Sequence, residues 1–283
     1  MIWKCGDKNI EYGKKTLIMA IINVTPDSFS DGGDSFNPEN AIENAVKAQN
    51  AGADIIDFGA QSTRPGYTPI SDDEEWERLE PVLKGIRGKI TVPVSIDTFF
   101  PSVALRAAKL GANIINDVSG YVSKEMAKAV IQTGCGWIIM HSKQGDIKEV
   151  REFFRRSEKE ALDLGVEKLQ LCFDMGIGFG KTRDEDRSLI ANVKKYKPSG
   201  YPLLLGTSRK RVIGESSFQP EPKKRTFGNI AADTAAIFGG VNIIRLHDVE
   251  NEKQGIYMAD SLKIALKSVS YTHLRAHETC ADL

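Results

Sequence analysis

The residues able to do chemistry stand at one recurring position, where a short apolar run turns polar. Asn23 ends LIMAIINV (17–24), Asp97 ends VPVSIDT (92–98), and Asn116 and Asp117 end NIINDVS (113–119). His141 closes GWIIMH (136–141) and Asp174 closes LQLCFD (169–174). Ser208, Arg209 and Lys210 follow PLLLGTS (202–208), while Arg245, His247 and Asp248 fall in NIIRLHD (242–248). Any one of these alone would be an ordinary helix cap, since a side-chain oxygen at that point accepts from the next helix's first turn. Seven of eight runs ending this way is more than capping requires.

The converging groups have a chemical sense. Asp97, Asn116 and Asp174 offer acceptors and an amide to a flat, donor-rich heterocycle. A carboxylate suits a guanidine-like edge because it accepts two parallel hydrogen bonds. Lys210, Arg245 and His247 make a cationic corner, and Thr63 and Arg64 add a hydroxyl and a guanidinium. The set fits a planar aromatic ring carrying an anionic leaving group. No Ser-His-Asp or Cys-His constellation accompanies it.

The elements that must position these groups follow from pattern. With DIIDFGA (54–60) the apolar runs number eight, and all lack polar alternation, as strands buried on both faces do. Helical patterns lie between them: 38–53, 101–112, 124–135, 155–166 and 228–240. Several end in Gly, a helix C-cap feeding a short loop into the next strand. Strand-helix alternation predicts a parallel sheet, and eight repeats predict an α/β (β/α)8 TIM barrel of a single domain. A doubly wound sheet is the runner-up, but the first run is followed by NVTPDSFSDGGDSF rather than a Gly-rich turn. In a barrel the polar run ends share one mouth, and the loops after strands seven and eight are the usual phosphate site. Residues 1–16 are expected to form a hairpin that closes the barrel bottom.

Composition narrows the partners. The chain has 283 residues, 38 basic against 38 acidic, and is 41% hydrophobic, so it can bury one large core and is not disordered. A balanced charge gives no general attraction for nucleic acid or an anionic membrane. No apolar run approaches the roughly 18 to 20 residues of a membrane helix, and the first residues lack a signal-peptide core. Cys5, Cys135, Cys172 and Cys280 form no CxxC pair, which argues against a disulfide framework or a cysteine zinc site. The expectation is a reduced cytoplasmic protein.

The blocks NVTPDSFSDGG (23–33), STRPG (62–66), SIDT (95–98), IIND (114–117), IMH (139–141), DMGIGFGK (174–181), GTSRK (206–210) and RLHDV (245–249) occur in this order. Together they closely resemble the dihydropteroate synthase family of folate biosynthesis, over residues 17–267. The resemblance implies a transferase that joins 6-hydroxymethyl-7,8-dihydropterin diphosphate to p-aminobenzoate and releases pyrophosphate, with Mg2+ as cofactor. It places Asp97, Asn116, Asp174 and Lys210 on the pterin, with Met140 and Phe179 lining that pocket. It places Asn23, Arg64, Arg245 and His247 on the diphosphate, with Asn23 also at the metal. Thr63, Pro65, Ser208 and Phe29 would frame p-aminobenzoate. Asp97, Lys210 and Arg245 are the implied catalytic residues, acting in a substitution at the pterin methylene without a protein nucleophile. A homodimer and sensitivity to sulfonamides, which imitate p-aminobenzoate, are implied as well.

This chain departs from the family pattern at three places: Gln61 stands where Glu is usual, Met175 where Pro is usual, and Ser142-Lys143-Gln144 where Met-x-Gly is usual. The segment that includes the fifth helix is therefore the least transferable. Two other functions share the pterin logic: a pterin-binding methyltransferase domain, which has no use for STRPG, SRK and RLHD, and a non-catalytic pterin-binding homologue.

Other motifs are read more plainly. GFGKT (178–182) is not a P-loop, because Met175 stands where GxxxxGK[ST] needs Gly, and GIGFG follows the sixth run rather than opening a first βαβ unit. A Gly-rich loop close to the flat ligand is the better reading. KKR (223–225) is expected to be a solvated loop, and Lys194, Lys195 and Lys197 an exposed helix end. Asp57 and Asp117 could be buried structural carboxylates or could support the binding groups; both readings stay open. His273, His277 and Cys280 have metal-like spacing, but 268–283 reads as a non-native or disordered tail, leaving 1–267 as the barrel domain.

Overall fold

The computed structural model describes residues 1–25, 37–61 and 68–279, with side chains through 266. The expected hairpin is present: β1 (Ile2–Cys5) pairs antiparallel with β2 (Lys8–Glu11). The eight apolar runs then form β3 (Leu17–Asn23), β4 (Ile55–Gly59), β5 (Val94–Asp97), β6 (Ile114–Asp117), β7 (Gly136–Met140), β8 (Leu171–Asp174), β9 (Leu203–Leu205) and β10 (Ile243–Leu246). These strands close in chain order into a parallel barrel, β10 pairing back onto β3.

Helices fill the crossovers where capping chemistry starts and stops them. α1 (Pro38–Ala51) begins at Asn37, whose side chain accepts from the Glu39 amide, and ends on Gly52 in the left-handed region. α2 (Asp72–Gly85) concentrates four acidic residues in its first turn, where the helix dipole favours them. α3 (Pro101–Lys109) and α4 (Lys124–Thr133) match the predicted patterns. α5 (Ile147–Asp163) starts earlier than the predicted 155, because Asp146 and Glu149 make a reciprocal capping box. α6 (Arg183–Ala191), α7 (Arg211–Ser216), α8 (Thr226–Gly239) and α9 (Val249–Thr279) complete the ring.

Two apolar cores result. The outer one lies between strands and helices and holds Phe58, Ile96, Ile115, Trp137, Phe173 and Leu205. The inner one fills the lower lumen with Leu17, Met19, Ile55, Ile114, Ile138, Cys172, Leu204 and Ile243, against Trp3, Cys5, Ile10 and Tyr12 of the N-terminal segment. Trp3 Nε1 donates to Gln170 O at 2.9 Å and the Tyr12 hydroxyl to Gly200 O at 3.0 Å, which fixes this plug under the barrel. Gly136 is required there, since a Cβ would come within 2.6 Å of Cys5 Sγ.

Side chains alternate across a strand, so the inner core sets the parity of everything above it. Two residues on from Ile55, Ile114, Ile138, Cys172 and Ile243 stand Asp57, Asn116, Met140, Asp174 and Arg245, facing the same lumen. Cys5, Cys135 and Cys172 are free and buried. Among the described residues no helix is long and apolar enough to cross a membrane. The backbone of α9 continues to Thr279, whereas the side chains of His273, His277 and Cys280, and the expected tail beyond 267 with them, lie outside what is described.

Candidate active site

The upper lumen is a layered polar site built by strand register. Asn23 pairs with Gly59, Gly59 with Asp97, and Asp97 with Asn116, so these residues lie at one level at the C-terminal mouth. Gly59 lies beside the Asp97 side chain, which a Cβ there would meet in ordinary van der Waals contact at 3.5 Å. One level lower, Asp57 pairs with Ser95.

Arg245 rises from β10 into the centre of this arrangement. Its Nε donates to Asp57 Oδ2 at 2.7 Å and its Nη2 to Asp97 Oδ2 at 2.7 Å. Asn116 Nδ2 also donates to Asp57 Oδ2, at 3.2 Å. Asp57 is fully buried, and this explains it: it is the inward carboxylate that braces both Arg245 and Asn116. Asp117, one residue from Asn116, has the opposite parity. It accepts from the Ser119 amide at 2.9 Å and from Trp137 Nε1 at 3.2 Å, on the outer side of the barrel. The two open carboxylates thus separate, Asp57 with the site and Asp117 with the outer core.

Electrostatics follow from burial. Burial, with Asp57, Asp117 and Asp174 nearby, pushes the Asp97 carboxyl up to about 7 against the opposing pull of Arg245. Burial raises Asp174 too, opposed by Lys210 and by the Gly176 amide, which donates to Asp174 Oδ1 at 2.8 Å. The Lys210 ammonium lies 4.7 Å from the centre of the Phe179 ring and donates to Ile177 O. Burial brings Lys210 down to about 8, with Asp174 resisting the shift. Among the buried polar atoms that have no hydrogen-bond partner among the described residues, three are acceptors in this lumen: Asp57 Oδ1, Ser95 Oγ and Asn116 Oδ1. Buried polar atoms of this kind cost stability unless something donates to them. A flat ring edged with N–H groups meets that requirement.

On the opposite side, Ser208 Oγ and His247 Nδ1 are 2.9 Å apart, and the His247 amide donates to Ser208 Oγ at 3.2 Å. His141 does not join the site. Burial brings its imidazole down to about 4, and its ring packs edge-on to Phe153 of α5 with centroids 5.0 Å apart. Phe29, Thr63, Arg64 and Pro65 lie outside the described residues.

Two expectations about surface cations need correction. Lys223 and Lys224 are exposed, but Arg225 is buried at 8% exposure. Its guanidinium donates to Arg209 O (2.8 Å), Lys210 O (3.2 Å), Gln219 O (2.9 Å) and Pro220 O (2.6 Å), so it anchors the segment that presents Lys210. Lys197 is half-buried and donates to Gly240 O at the end of α8. The family departures are accommodated locally. Gln61 Oε1 accepts from the Ile70 amide at 2.8 Å, Met175 Sδ accepts from the Tyr196 hydroxyl at 2.9 Å, and Ser142 Oγ donates to Ser119 O at 3.2 Å.

Ser95 has no role in the sequence reading, and Lys181 and Arg225 enter it only within GFGKT and KKR, without the roles the structure gives them. Ser95 carried a signal, being two residues before Asp97 on one strand. Lys181 was tested only as a phosphate-binding lysine, and its partners are backbone carbonyls, which leave no trace in composition.

This fold and site define a pterin-handling barrel. Residues 19–247 match the model of the pterin binding enzyme family, and the chain belongs to that family. Within it, the chain is 40% identical over 270 residues to dihydropteroate synthase of Synechocystis, covering 91% of this chain and 93% of that one. A crystal structure of dihydropteroate synthase from Clostridium difficile, obtained in the presence of pteroic acid, superposes with a TM-score of 0.84 at 43% identity, covering 89% and 98% of the two chains. The Xanthomonas albilineans dihydropteroate synthase with 4-aminobenzoic acid gives a TM-score of 0.85 at 32% identity, covering 93% and 99%.

Proposed function

We propose that this protein is a dihydropteroate synthase, a transferase condensing 6-hydroxymethyl-7,8-dihydropterin diphosphate with p-aminobenzoate to give 7,8-dihydropteroate and pyrophosphate. The observation that carries this reading is the pairing of an acceptor-rich lumen (Asp57, Ser95, Asp97, Asn116, Asp174) with Lys210 held over the Phe179 ring at the same mouth. The acceptors suit the N–H edge of a pterin, and the Phe179 face suits its plane.

In the reaction the aromatic amine nitrogen forms a bond to the pterin methylene carbon as the C–O bond to the diphosphate breaks. The surplus amine proton passes to solvent or the departing pyrophosphate. Asp97 and Asp174 hold the pterin and stabilise the positive charge that grows on it, and Asn116 and Lys210 fix its orientation. Arg245, His247 and Arg64 are the groups assigned to the diphosphate. Fixed charges of this kind act without reorganising as the transition state forms. In this structure Arg245 is paired with Asp57 and Asp97, so its role toward the diphosphate is exerted from the centre of the site. Ser208, with Thr63, Pro65 and Phe29, frames p-aminobenzoate, and a sulfonamide would compete there.

Magnesium fits the donor set. Asn23 offers an exposed amide oxygen at the end of β3, level with Asp97, and hard cations take oxygen ligands. Asn23 would hold the ion on the protein side. When bound it supplies charge stabilisation to the leaving group. A homodimer is supported by the exposed apolar side chains on α8 and α9, Phe227, Phe238, Met258 and Leu262. A cytoplasmic location, and a barrel domain of residues 1–267 followed by a non-native tail at 268–283, complete the proposal.

The test is pyrophosphate release from the pterin diphosphate with p-aminobenzoate and magnesium. Release dependent on both substrates supports the reading. Tight pterin binding without release would replace it with a non-catalytic homologue, and methyl transfer would replace it with a methyltransferase domain.

A further inference from the structure

The GIGFGK segment, discarded as a phosphate cradle, holds a lysine that no substrate role uses. Lys181 is buried at 6% exposure, and among the described residues its Nζ is bonded only to backbone carbonyls. It donates to His141 O (3.0 Å), Lys143 O (3.1 Å), Gly176 O (2.9 Å) and Phe179 O (3.3 Å). Two of these belong to the loop after β7 and two to the loop after β8. An ammonium has three protons, so the four acceptors share them, and its desolvation is offset by this cage and by the charges of Asp174 and Asp186.

What the cage joins gives it meaning. The β7 loop follows directly on Met140, and the β8 loop carries Phe179 and the Ile177 carbonyl that receives Lys210. The glycines of the motif make the seam possible. A Cβ at Gly176 would fall 1.9 Å from His141 O, and one at Gly180 would fall 3.0 Å from the Gln144 amide nitrogen. Both glycines have positive φ, 64° and 69°, where other residues are strained. The seam is therefore specified three times, by two glycines and one buried cation.

We propose that Lys181 is a positioning residue for the pterin: by clamping the β7 loop to the β8 loop it fixes Met140, Phe179 and, through Ile177 O, Lys210 in the geometry that receives the ring. This rests on the proposed pterin-dependent function, and it assigns the family's GFGK lysine in this chain a task distinct from ligand contact. p-Aminobenzoate is expected near Ser208, whose hydroxyl is held by His247 rather than by the seam, so its binding should respond far less than that of the pterin.

The experiment compares Lys181→Met, which keeps length and apolar bulk but removes every donor, with the wild-type chain well below the melting temperature of each. Expected are a rise of about tenfold or more in KM for the pterin diphosphate and a similar loss in calorimetric affinity for a pterin lacking the diphosphate, because small misplacements of a binding surface carry large penalties. KM for p-aminobenzoate should change by less than about twofold. Lys181→Arg, which keeps the charge and several donors, should recover part of the pterin affinity. A role confined to stability would lower the melting temperature and leave both KM values unchanged in the folded fraction, and that result would overturn the proposal. Should Lys181→Met not fold, Gly180→Ala opens the same seam with the lysine in place; wild-type pterin affinity in that variant is also fatal to it. An inactive wild-type chain that still binds pterin would sink the synthase reading alone, since the binding comparison remains.

Discussion

Arg245 and Asp97 are joined Nη2 to Oδ2 at 2.7 Å inside the barrel, although they lie 148 residues apart in the chain. The same guanidinium reaches Asp57, which is fully buried, so one cation stands between two carboxylates. Removing it should expose their mutual repulsion. Arg245→Ala is expected to destabilise the fold by about 3 to 5 kcal/mol, the usual result of stripping one partner from a buried pair. Asp97→Asn keeps the shape and leaves Asp57 to balance the arginine, so denaturant unfolding should show a much smaller loss. The same Asp97→Asn variant should lose turnover and pterin affinity. Unchanged turnover would show that Asp97 is only a counter-ion.

Arg225 supplies a second prediction. Its four carbonyl partners include Arg209 O and Lys210 O, and its guanidinium fills the space above Gly214, where a Cβ would lie 2.4 Å away. Arg225→Ala should cost about 2 kcal/mol through unpaired buried carbonyls, and it should also raise KM for the pterin diphosphate by loosening Lys210. Lys223→Ala and Lys224→Ala, at exposed neighbours, should fall within about 0.5 kcal/mol of wild type. Parallel kinetics and urea melts on the three variants make the comparison.

Asp57 and Asp117 give a contrast that tests strand parity. Asp117→Asn disturbs the Ser119 and Trp137 contacts outside the lumen, so it should cost about 1 to 2 kcal/mol of stability with kcat and both KM values preserved. Asp57→Asn loosens Arg245 and Asn116 together and should depress kcat/KM for the pterin diphosphate. Equal kinetic effects from the two variants would contradict the assignment of one to the inner face and the other to the outer.

The legible parts of this molecule are those written in local pattern. β-Branched runs between Gly-capped helices announced the barrel, and polar run ends announced its mouth. Adjacent residues on one strand were not separable, because Asn116 and Asp117 differ only in which face they meet, and that face is set by Ile114 packing in the lower lumen. The start of α5 was obscured because the 155–166 pattern shows the helix interior, whereas its boundary lies in the Asp146–Glu149 capping box. Lys181 and Arg225 were invisible for a common reason. A cation bonded to backbone carbonyls has no partner side chain to betray it, so it resembles any solvated Lys or Arg in a charged stretch.

A final prediction concerns pH and lies behind the Ser208 corner. Asp233 Oδ1 accepts from Thr207 Oγ1 at 2.7 Å, and burial pushes Asp233 up to about 7. Glu252 accepts from Asn229 Nδ2 at 3.3 Å; burial first, and then the charges of Asp233 and Asp248 against that of Arg209, push it up to about 8. In the unfolded chain both carboxyls titrate near about 4, so from there to about 8 the folded state holds more protons. Stability from this pair is therefore fully present below about pH 4, falls as pH rises through that window, and levels off above it. Asp233→Asn with Glu252→Gln removes both titrations while keeping amide oxygens as acceptors for Thr207 and Asn229. The double variant should melt higher than wild type at about pH 8.5 and match or fall below it at about pH 5, giving a flatter profile. Melting curves that run parallel across the range would mean that these two acids hold no extra protons in the fold.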